Sequence, residues 1–344
     1  MKLKWRPPVI WGAFILFAFV CIVVGLCIGS VNIPPLAVIK SVLGAVPGLG
    51  FLHDDLKPEY VDIILILRAP VVIMALLTGV GLSSSGAAMQ GLFRNPLVDP
   101  FIIGISAGGA FGWVIGGVLT AGTTTLLSQS VRITLCFLAG ITALGVAYAI
   151  ARSGSRVPVA NLLLAGIATS SVLTSATYLL IYFYVENPSE LIFSLMGSCG
   201  NSRWREIYIV APVVVLGSSL LMFFSRDLNA FSTGEESAKH LGVEVEKSKG
   251  AILVLSSIIA AVTIPFCGII GFVGLIVPHI VRRLTGPDHR TLIPLTAVAG
   301  GGFVILSDLV ARSITESVIP LGIITGFLGG GFFLYLLITR RKVA

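Results

Sequence analysis

The stretch that decides the fold runs from Leu67 to Gly109, LRAPVVIMALLTGVGLSSSGAAMQGLFRNPLVDPFIIGISAGG. After Arg68 it holds an uncharged segment of more than twenty residues, enough to cross a hydrocarbon core about 30 Å thick. A compact polar turn follows, Arg94-Asn95-Pro96-Leu97-Val98-Asp99-Pro100, and a second apolar segment begins at once. Two membrane helices joined by a short polar turn are therefore predicted.

The rest of the chain has the same character. Of 344 residues, 56% are hydrophobic and only 11% are charged, and the mean hydropathy is +1.00. Such a composition excludes a water-soluble domain with a polar surface. We predict one all-α integral membrane domain, residues 1–344, with about ten transmembrane helices near 9–31, 69–92, 101–121, 131–151, 160–184, 206–225, 250–270, 271–285, 291–311 and 319–339.

Loop charge predicts the orientation of these helices. Most of the 23 Lys and Arg residues fall on one side if the N-terminus is inside, which is the positive-inside pattern. Both termini are then cytoplasmic, and the protein is a multi-pass component of the inner (cytoplasmic) membrane. The excess of basic residues in the internal loops explains the net charge of +7 without a nucleic-acid partner.

The sequence carries no visible energy source. None of the predicted spans has Asp, Glu, Lys or Arg near its middle, although ion-coupled transporters usually need such groups. The chain also lacks the GxxxxGK[ST] phosphate-binding loop. We therefore predict a non-enzymatic transport subunit that itself binds no cofactor or metal. If ATP drives transport, a partner subunit must hold the ATP and Mg²⁺. Two alternatives remain open: an ion-coupled secondary transporter of a small solute, and an intramembrane enzyme using Ser83 to Ser85 or His279.

The internal loop after the sixth span is the natural place for such a partner to bind. Residues 226–249 form the longest internal polar segment, and two short helices are predicted in it. We expect Thr233 and Glu236 to form a capping box and Gly242 to close the first helix. Leu241 and Val243 are candidate apolar anchors in a groove of an ATPase. A plain solvated loop is the alternative.

Ten short motifs, in order and at suitable spacing, carry a family resemblance that extends over about 90% of the chain. They are Leu67–Pro70, Gly86–Gln90, Arg94–Pro100, Gly104–Gly108, Leu162–Gly166, Gly234–Gly242, Gly268–Arg282, Asp288–Arg290, Asp308–Arg312 and Pro320–Thr325. With them the sequence resembles the FecCD-type permeases, the transmembrane subunits of type II ATP-binding-cassette (ABC) importers for iron-siderophore, haem or vitamin B12. Nothing in the sequence separates these cargoes from one another or from an oxyanion.

The resemblance implies the partners. It implies a second permease copy, most simply in a homodimer, with the transport path between the two fifth spans. It also implies two ABC ATPase subunits inside and a periplasmic or extracellular substrate-binding protein outside. Arg68 and Arg312 match the arginines that dock the binding protein, although Val71 stands where the family often has another arginine. For both arginines, snorkelling to lipid phosphate is the alternative.

The resemblance also implies a gate and a coupling site. Asn95 and Leu97 match a cytoplasmic gate, and Val159, Ala160 and Asn161 match its partner before the fifth span. For Asn95 an ordinary Asn-initiated turn is an equal alternative. ATPase coupling is expected at Gly234, Glu235, Glu236, Lys239, His240, Leu241 and Gly242. The five cysteines are expected to be packing residues, with Cys199 in an external loop.

Overall fold

The computed structural model describes residues 7–29, 31–121, 123, 125–154, 157–185, 188–314 and 318–341. These residues form α-helices and no β-strand. The α-helices are α1 (Pro7–Cys27), α2 (Pro35–Gly44), α3 (Pro58–Asp62), α4 (Ala69–Phe93), α5 (Ile105–Leu119), α6 (Leu126–Ala151), α7 (Val159–Tyr184), α8 (Pro188–Leu195), α9 (Trp204–Phe223), α10 (Ser225–Phe231), α11 (Glu235–His240), α12 (Val245–Cys267), α13 (Val273–Thr285), α14 (His289–Ser313) and α15 (Leu321–Arg341). Single turns of 3₁₀-helix lie at Gly50–His53 and Pro100–Ile103.

Each of the ten predicted spans corresponds to one of these helices, which confirms the all-helical membrane fold. Within the described ranges, seven helices are long and apolar enough to cross a membrane. The other three predicted spans are shorter: α5 has 15 residues, α13 has 13, and the apolar part of α15 is Leu321–Leu336. At 1.5 Å per residue, α5 and α13 alone are shorter than a hydrocarbon core.

The second span begins earlier than predicted. Helix runs without interruption from Pro58 to Phe93, because a π-helical segment, Ile63–Arg68, joins α3 to α4. Pro58 and Glu59 suit a helix start, since a first-turn proline needs no N–H partner and an acid there complements the helix dipole. The expected start at 69 was wrong because the charges around Arg68 were interpreted as a loop.

The break between the seventh and eighth spans is confirmed. The chain leaves helical geometry at 268–272, between α12 and α13. Gly268 has φ +66°, and a Cβ there would lie 2.6 Å from Ser194 O, so only glycine fits. Phe272 adopts the left-handed region as well, with φ +68°. Backbone bonds from Ser198 N to Cys267 O (2.9 Å) and Ile269 N to Leu195 O (3.1 Å) fix this break against the end of α8.

Helix α4 lies at the centre of the bundle, packed against α9, α12, α13 and α14. Two glycines allow backbone-to-backbone approach: a Cβ on Gly79 would overlap Gly300 O of α14, and one on Gly86 would overlap Gly274 O of α13. Close approach through small residues is the usual way membrane helices pack. Helix α4 is therefore in close backbone contact with both α13 and α14.

Small residues have different roles on two other helices. On α5, Gly108, Gly112 and Gly116 lie against the backbone of α6. On α15, a Cβ at Gly326 or Gly330 would have nothing within 4 Å among the described residues, so these two glycines make no close helix contact within this chain. Helix α7 is also open, with 17% of its apolar window buried against 67% for α12.

All five cysteines are buried, as packing residues should be. Cys199 is not displayed on an external surface: its side chain is wholly buried, and its Sγ lies 3.6 Å from Cys267 Sγ. Among the residues that the structure describes, no group of His, Cys, Asp or Glu is arranged to hold a metal ion.

Candidate functional site

Arg68 ends the π-helical segment, and its side chain is only 6% exposed. Its Nη1 donates to Leu26 O (2.8 Å) and Cys27 O (2.9 Å), and its Nη2 donates to Val31 O. These carbonyls lie at and just beyond the end of α1, where no helical N–H remains to bind them. The guanidinium therefore caps α1 in this conformation, and its docking role stays a prediction.

Arg312 lies on the last turn of α14, at the same end of the bundle as Arg68. Its Nε is 2.8 Å from Asp308 Oδ2, and the Asp308 carboxylate is almost fully buried. The Arg312 side chain keeps 17% exposure, and its charge is close enough to Arg68 for the two cations to repel each other. The structure thus brings together the two predicted docking arginines, one engaged with backbone and one with a carboxylate.

The turn after α4 has the expected Asn-initiated form. Asn95 Oδ1 accepts a hydrogen bond from Leu97 N (3.0 Å), and Arg94 closes α4 in the left-handed region with φ 50°. Asp99 Oδ1 accepts from Phe101 N (2.9 Å) and starts the 3₁₀ turn. Burial raises the pKa of the Asp99 carboxyl to about 6, and the Phe101 hydrogen bond opposes that rise.

The other predicted gate segment is the start of α7. Ala160 and Asn161 are exposed there, and Leu97 is 54% exposed on the first segment. The 3₁₀ turn Pro100–Ile103 joins the two segments, because it packs on α7 at Gly166, where a Cβ would lie 2.8 Å from Ile102 O. The gate assignment of Asn95, Leu97, Val159, Ala160 and Asn161 stays a prediction.

The segment after α9 forms two short helices, α10 and α11, with one face inward and one outward. Leu228, Phe231 and Ala238 are buried against the bundle. The outward face carries Glu236, Lys239, His240 and Leu241, the last 69% exposed. Gly242, with φ 88°, ends the helical path as predicted.

The predicted capping box is wrong. Gly234, not Thr233, is the N-cap residue of α11, and no side chain caps this helix. Thr233 Oγ1 instead donates to Ala230 O at 2.8 Å. The hydroxyl is taken up by the preceding turn, where Ala230 O also accepts a hydrogen bond from Thr233 N (3.1 Å).

Polar side chains fasten this segment to α12. Lys249 is 7% exposed, and its Nζ lies 2.7 Å from Glu235 Oε2 and 3.4 Å from Glu246 Oε1. Ser248 Oγ donates to Asp227 Oδ2 at 2.6 Å. Beside these contacts, a cavity of about 650 Å³ opens between α10 and the turn at 241–248, lined in part by Leu241, Val243 and Lys247.

A third attachment escaped the sequence analysis. Asn229 of α10 bonds to Asp288 and His289, the residues that begin α14. Nearby, Arg282 Nη1 donates to Gln90 Oε1 (2.8 Å) and Gln90 Nε2 donates to Gly274 O (3.0 Å), which ties α13 to α4. No pattern in the sequence links Asn229 to a site 60 residues away, although Asp288-His289-Arg290 is one of the quoted motifs.

These features define a multi-span helical membrane protein with a polar segment, α10 and α11, packed at one end of the bundle. A model of the FecCD transport family matches residues 16–339. The chain therefore belongs to the FecCD transport family.

Individual relatives agree with this assignment. The cobalamin import system permease protein BtuC of Halobacterium salinarum is 39% identical over 285 residues, which cover 83% of this chain and 76% of the relative. The hemin transport system permease protein HmuU of Yersinia pestis is 35% identical over 282 residues, which cover 80% of this chain and 83% of the relative.

A solved structure described as an inward-facing conformation of a putative metal-chelate type ABC transporter superimposes with a TM-score of 0.83. It is 30% identical and covers 97% of this chain and 100% of its own. The protein is thus the permease subunit of an ABC importer, a multi-pass component of the cytoplasmic membrane. It works with a separate ATPase subunit and a substrate-binding partner, and it is not itself the ATPase.

Proposed function

We propose that this chain imports a metal chelate, such as iron-siderophore, haem or cobalamin, by alternating access in the inner membrane. Two ATPase subunits power the cycle, and a substrate-binding protein delivers the cargo. The observation that carries the proposal is the segment 226–249, fastened to the bundle by buried contacts on one face and open on the other. Cargo names come from the relatives: cobalamin for one and hemin for another.

The coupling site is the outward face of α10 and α11. Gly234, Glu235, Glu236, Lys239, His240, Leu241 and Gly242 are its proposed members. Leu241 is the proposed anchor, because a large apolar side chain 69% exposed on a polar segment gains most from burial in a partner's groove. Glu235 has a supporting role, because its carboxylate lies 2.7 Å from Lys249 Nζ and this ion pair holds α11 against α12.

The proposed assembly is a homodimer with the path between two copies of α7. Open apolar faces on α7 and α15 support this arrangement, because within one chain they pack against little. Exposed aromatic side chains on these helices, such as Tyr182 (80%) and Phe327 (83%), suit either a second copy or lipid. Asn95, Leu97, Val159, Ala160 and Asn161 would close the inner end with small or apolar groups that part easily.

Arg68 and Arg312 form the proposed docking surface for the binding protein at the other end. A guanidinium pairs well with a carboxylate on an incoming partner. Arg312 is the better placed of the two, because its side chain is partly exposed whereas Arg68 is held by three carbonyls.

The coupling site is tested by purification of the permease with its ATPase. Leu241→Asp should reduce ATPase recovery by about tenfold or more, since it replaces an apolar anchor with a charge. Val42→Asp is the matched control: Val42 is 42% exposed on α2, at the opposite end of the bundle, and its change should leave recovery intact. Normal ATPase recovery with Leu241→Asp would remove the coupling assignment.

A further inference from the structure

The side chain of Asn229 is fully engaged with the first turn of α14. Its Oδ1 accepts from His289 N (2.9 Å) and from the His289 ring at Nδ1 (2.8 Å), and its Nδ2 donates to Asp288 Oδ1 (2.6 Å). The backbone N–H of His289 fixes which end of the amide is oxygen, and it follows that Nδ1 carries the proton. Asp288 Oδ1 also accepts from Arg290 N (3.0 Å), so the Asn229 amide bonds to the same oxygen that caps the start of α14.

The opposite edge of the His289 ring presses on α4. His289 is 5% exposed, and a Cβ on Gly91 would overlap its Nε2. Gly91 lies in the last turn of α4, where Arg94 N bonds to Gly91 O (3.3 Å) and Asn95 N to Gln90 O (3.2 Å). The His289 ring therefore fills the space between α10 and the last turn of α4, in contact with Asn229 on one side and Gly91 on the other.

The two bonds from Asn229 to His289 are partly buried, whereas the bond to Asp288 is exposed. Because His289 itself is buried, breaking its bonds to Asn229 leaves polar atoms that water reaches poorly, so displacement of Asn229 should move His289. Helix α10 also packs directly on α4 and α14, which keeps the three elements together. Lys249 and Ser248 of α12 bond to Glu235 of α11 and Asp227 of α10, so we expect α10 and α11 to move together.

We propose that Asn229 and His289 are positioning residues that transmit displacement of the coupling segment to the gate turn at Arg94–Leu97. The inference rests on the proposed coupling function and adds the route. A displacement of α10 moves Asn229, which moves the His289 ring, and the ring in turn moves the last turn of α4 at Gly91. Neither residue contacts cargo or nucleotide in this scheme.

The test reads the gate turn directly and needs no cargo. Leu97→Cys introduces a thiol at a side chain that is 54% exposed, whereas all five native cysteines are buried, so a maleimide added from the inner side labels the new site selectively. The complete complex with its ATPase is labelled without nucleotide and with ATP plus vanadate. With Asn229 and His289 intact, nucleotide should change the labelling rate by about fivefold or more.

Asn229→Ala should leave the ATPase bound and active but bring the ratio of the two labelling rates close to one. The matched control is Ser232→Ala, an exposed residue just beyond α10 whose hydroxyl bonds only to Asn229 O. A gate response unchanged by Asn229→Ala overturns the route.

A second pair of variants keeps the test sharp if Asn229→Ala destabilises the segment. Asn229→Asp retains the acceptor for His289 but places a carboxylate against Asp288, so the nucleotide response should fall. Combining it with Asp288→Asn restores one donor and one carboxylate across the pair and should restore the response. Failure of this rescue in a folded complex counts against the route.

The two proposals fail in different ways. If Leu97→Cys shows no nucleotide response with Asn229 and His289 intact, or if Leu241→Asp leaves ATPase recovery normal, the proposed coupling function is wrong. If Leu241→Asp removes the ATPase while Asn229→Ala keeps the full gate response, coupling stands and only the route through His289 is wrong.

Discussion

Replacing Arg68 should destabilise α1 before it affects any partner. Arg68→Ala removes three hydrogen bonds, those to the carbonyls of Leu26, Cys27 and Val31, although Cys27 O keeps the bond from Ile33 N (3.0 Å). Hydrogen bonds to charged groups contribute about 1.5–3 kcal/mol each. Because Val31 is 43% exposed, water replaces part of that loss, and we expect a net cost of about 2–4 kcal/mol.

Thermal unfolding of the purified permease in detergent measures this cost. A loss of about 2–4 kcal/mol corresponds to a fall in melting temperature of roughly 3–6 °C for a chain of this size. Arg205→Ala is the control, because Arg205 is an exposed arginine near the start of α9 and loses the same charge. Arg68→Lys should recover only part of the stability. The compact lysine ammonium lacks the planar fork of donors by which the arginine guanidinium reaches all three carbonyls.

The result that refutes the capping role is specific. If Arg68→Ala melts within about 1 °C of the unchanged protein, the three hydrogen bonds contribute little stability, and the capping interpretation is wrong. If binding-protein affinity then falls while stability holds, Arg68 acts as a docking residue alone. If stability falls and hydrogen exchange increases only near the end of α1, capping is its main role.

Three further predictions concern packing, protonation and the coupling segment. Gly86→Ala should cost about 2 kcal/mol or more by detergent melting, because its Cβ would overlap Gly274 O, whereas Gly145→Ala, with nothing within 4 Å, should cost nothing. Asp99, with its pKa raised by burial to about 6 from 3.8, should make the unchanged protein less stable as pH rises from about 4 to 6.5, and Asp99→Asn should flatten that slope in pH-dependent melting. Lys249→Met should loosen the attachment of Glu235 and increase proteolysis of the segment 226–249, while Lys247→Met, at an exposed position, should not.

The direction of the Asp99 effect follows from proton binding. Between pH 3.8 and about 6 the folded state binds more protons at this carboxyl than the unfolded state, so raising the pH favours unfolding. A melting temperature that rises over this range and is lowered by Asp99→Asn would show that the carboxylate is stabilised, not penalised, in its buried position.

The spans could be predicted because membrane helices are set by local composition. An uninterrupted apolar run such as Val71–Leu82 has one stable form in lipid. The break at 268–272 was also predictable, since Gly268 and Gly271 interrupt such a run. The helical extension before Ala69 was missed because a π-helical segment has no clear sequence signal and Arg68 resembles a loop residue.

The site was less predictable, because its contacts join distant parts of the chain. Exposure of Leu241 follows from its place in a polar segment, but the partners of Arg68 depend on where α1 ends in space. Thr233 matches a local capping pattern, yet the neighbouring turn of α10 takes its hydroxyl. The link from Asn229 to His289 depends on how α10 packs against α14 and has no local signature.

Uptake by the reconstituted complex tests whether this chain is a conduit driven by an attached ATPase. The permease, its ATPase and its binding protein are placed in liposomes, and uptake of cyanocobalamin, hemin and a ferric hydroxamate is measured in turn. We predict that one of these accumulates only with ATP, that vanadate stops it, and that Leu241→Asp abolishes it. Accumulation by the permease alone on a proton or sodium gradient would contradict that prediction.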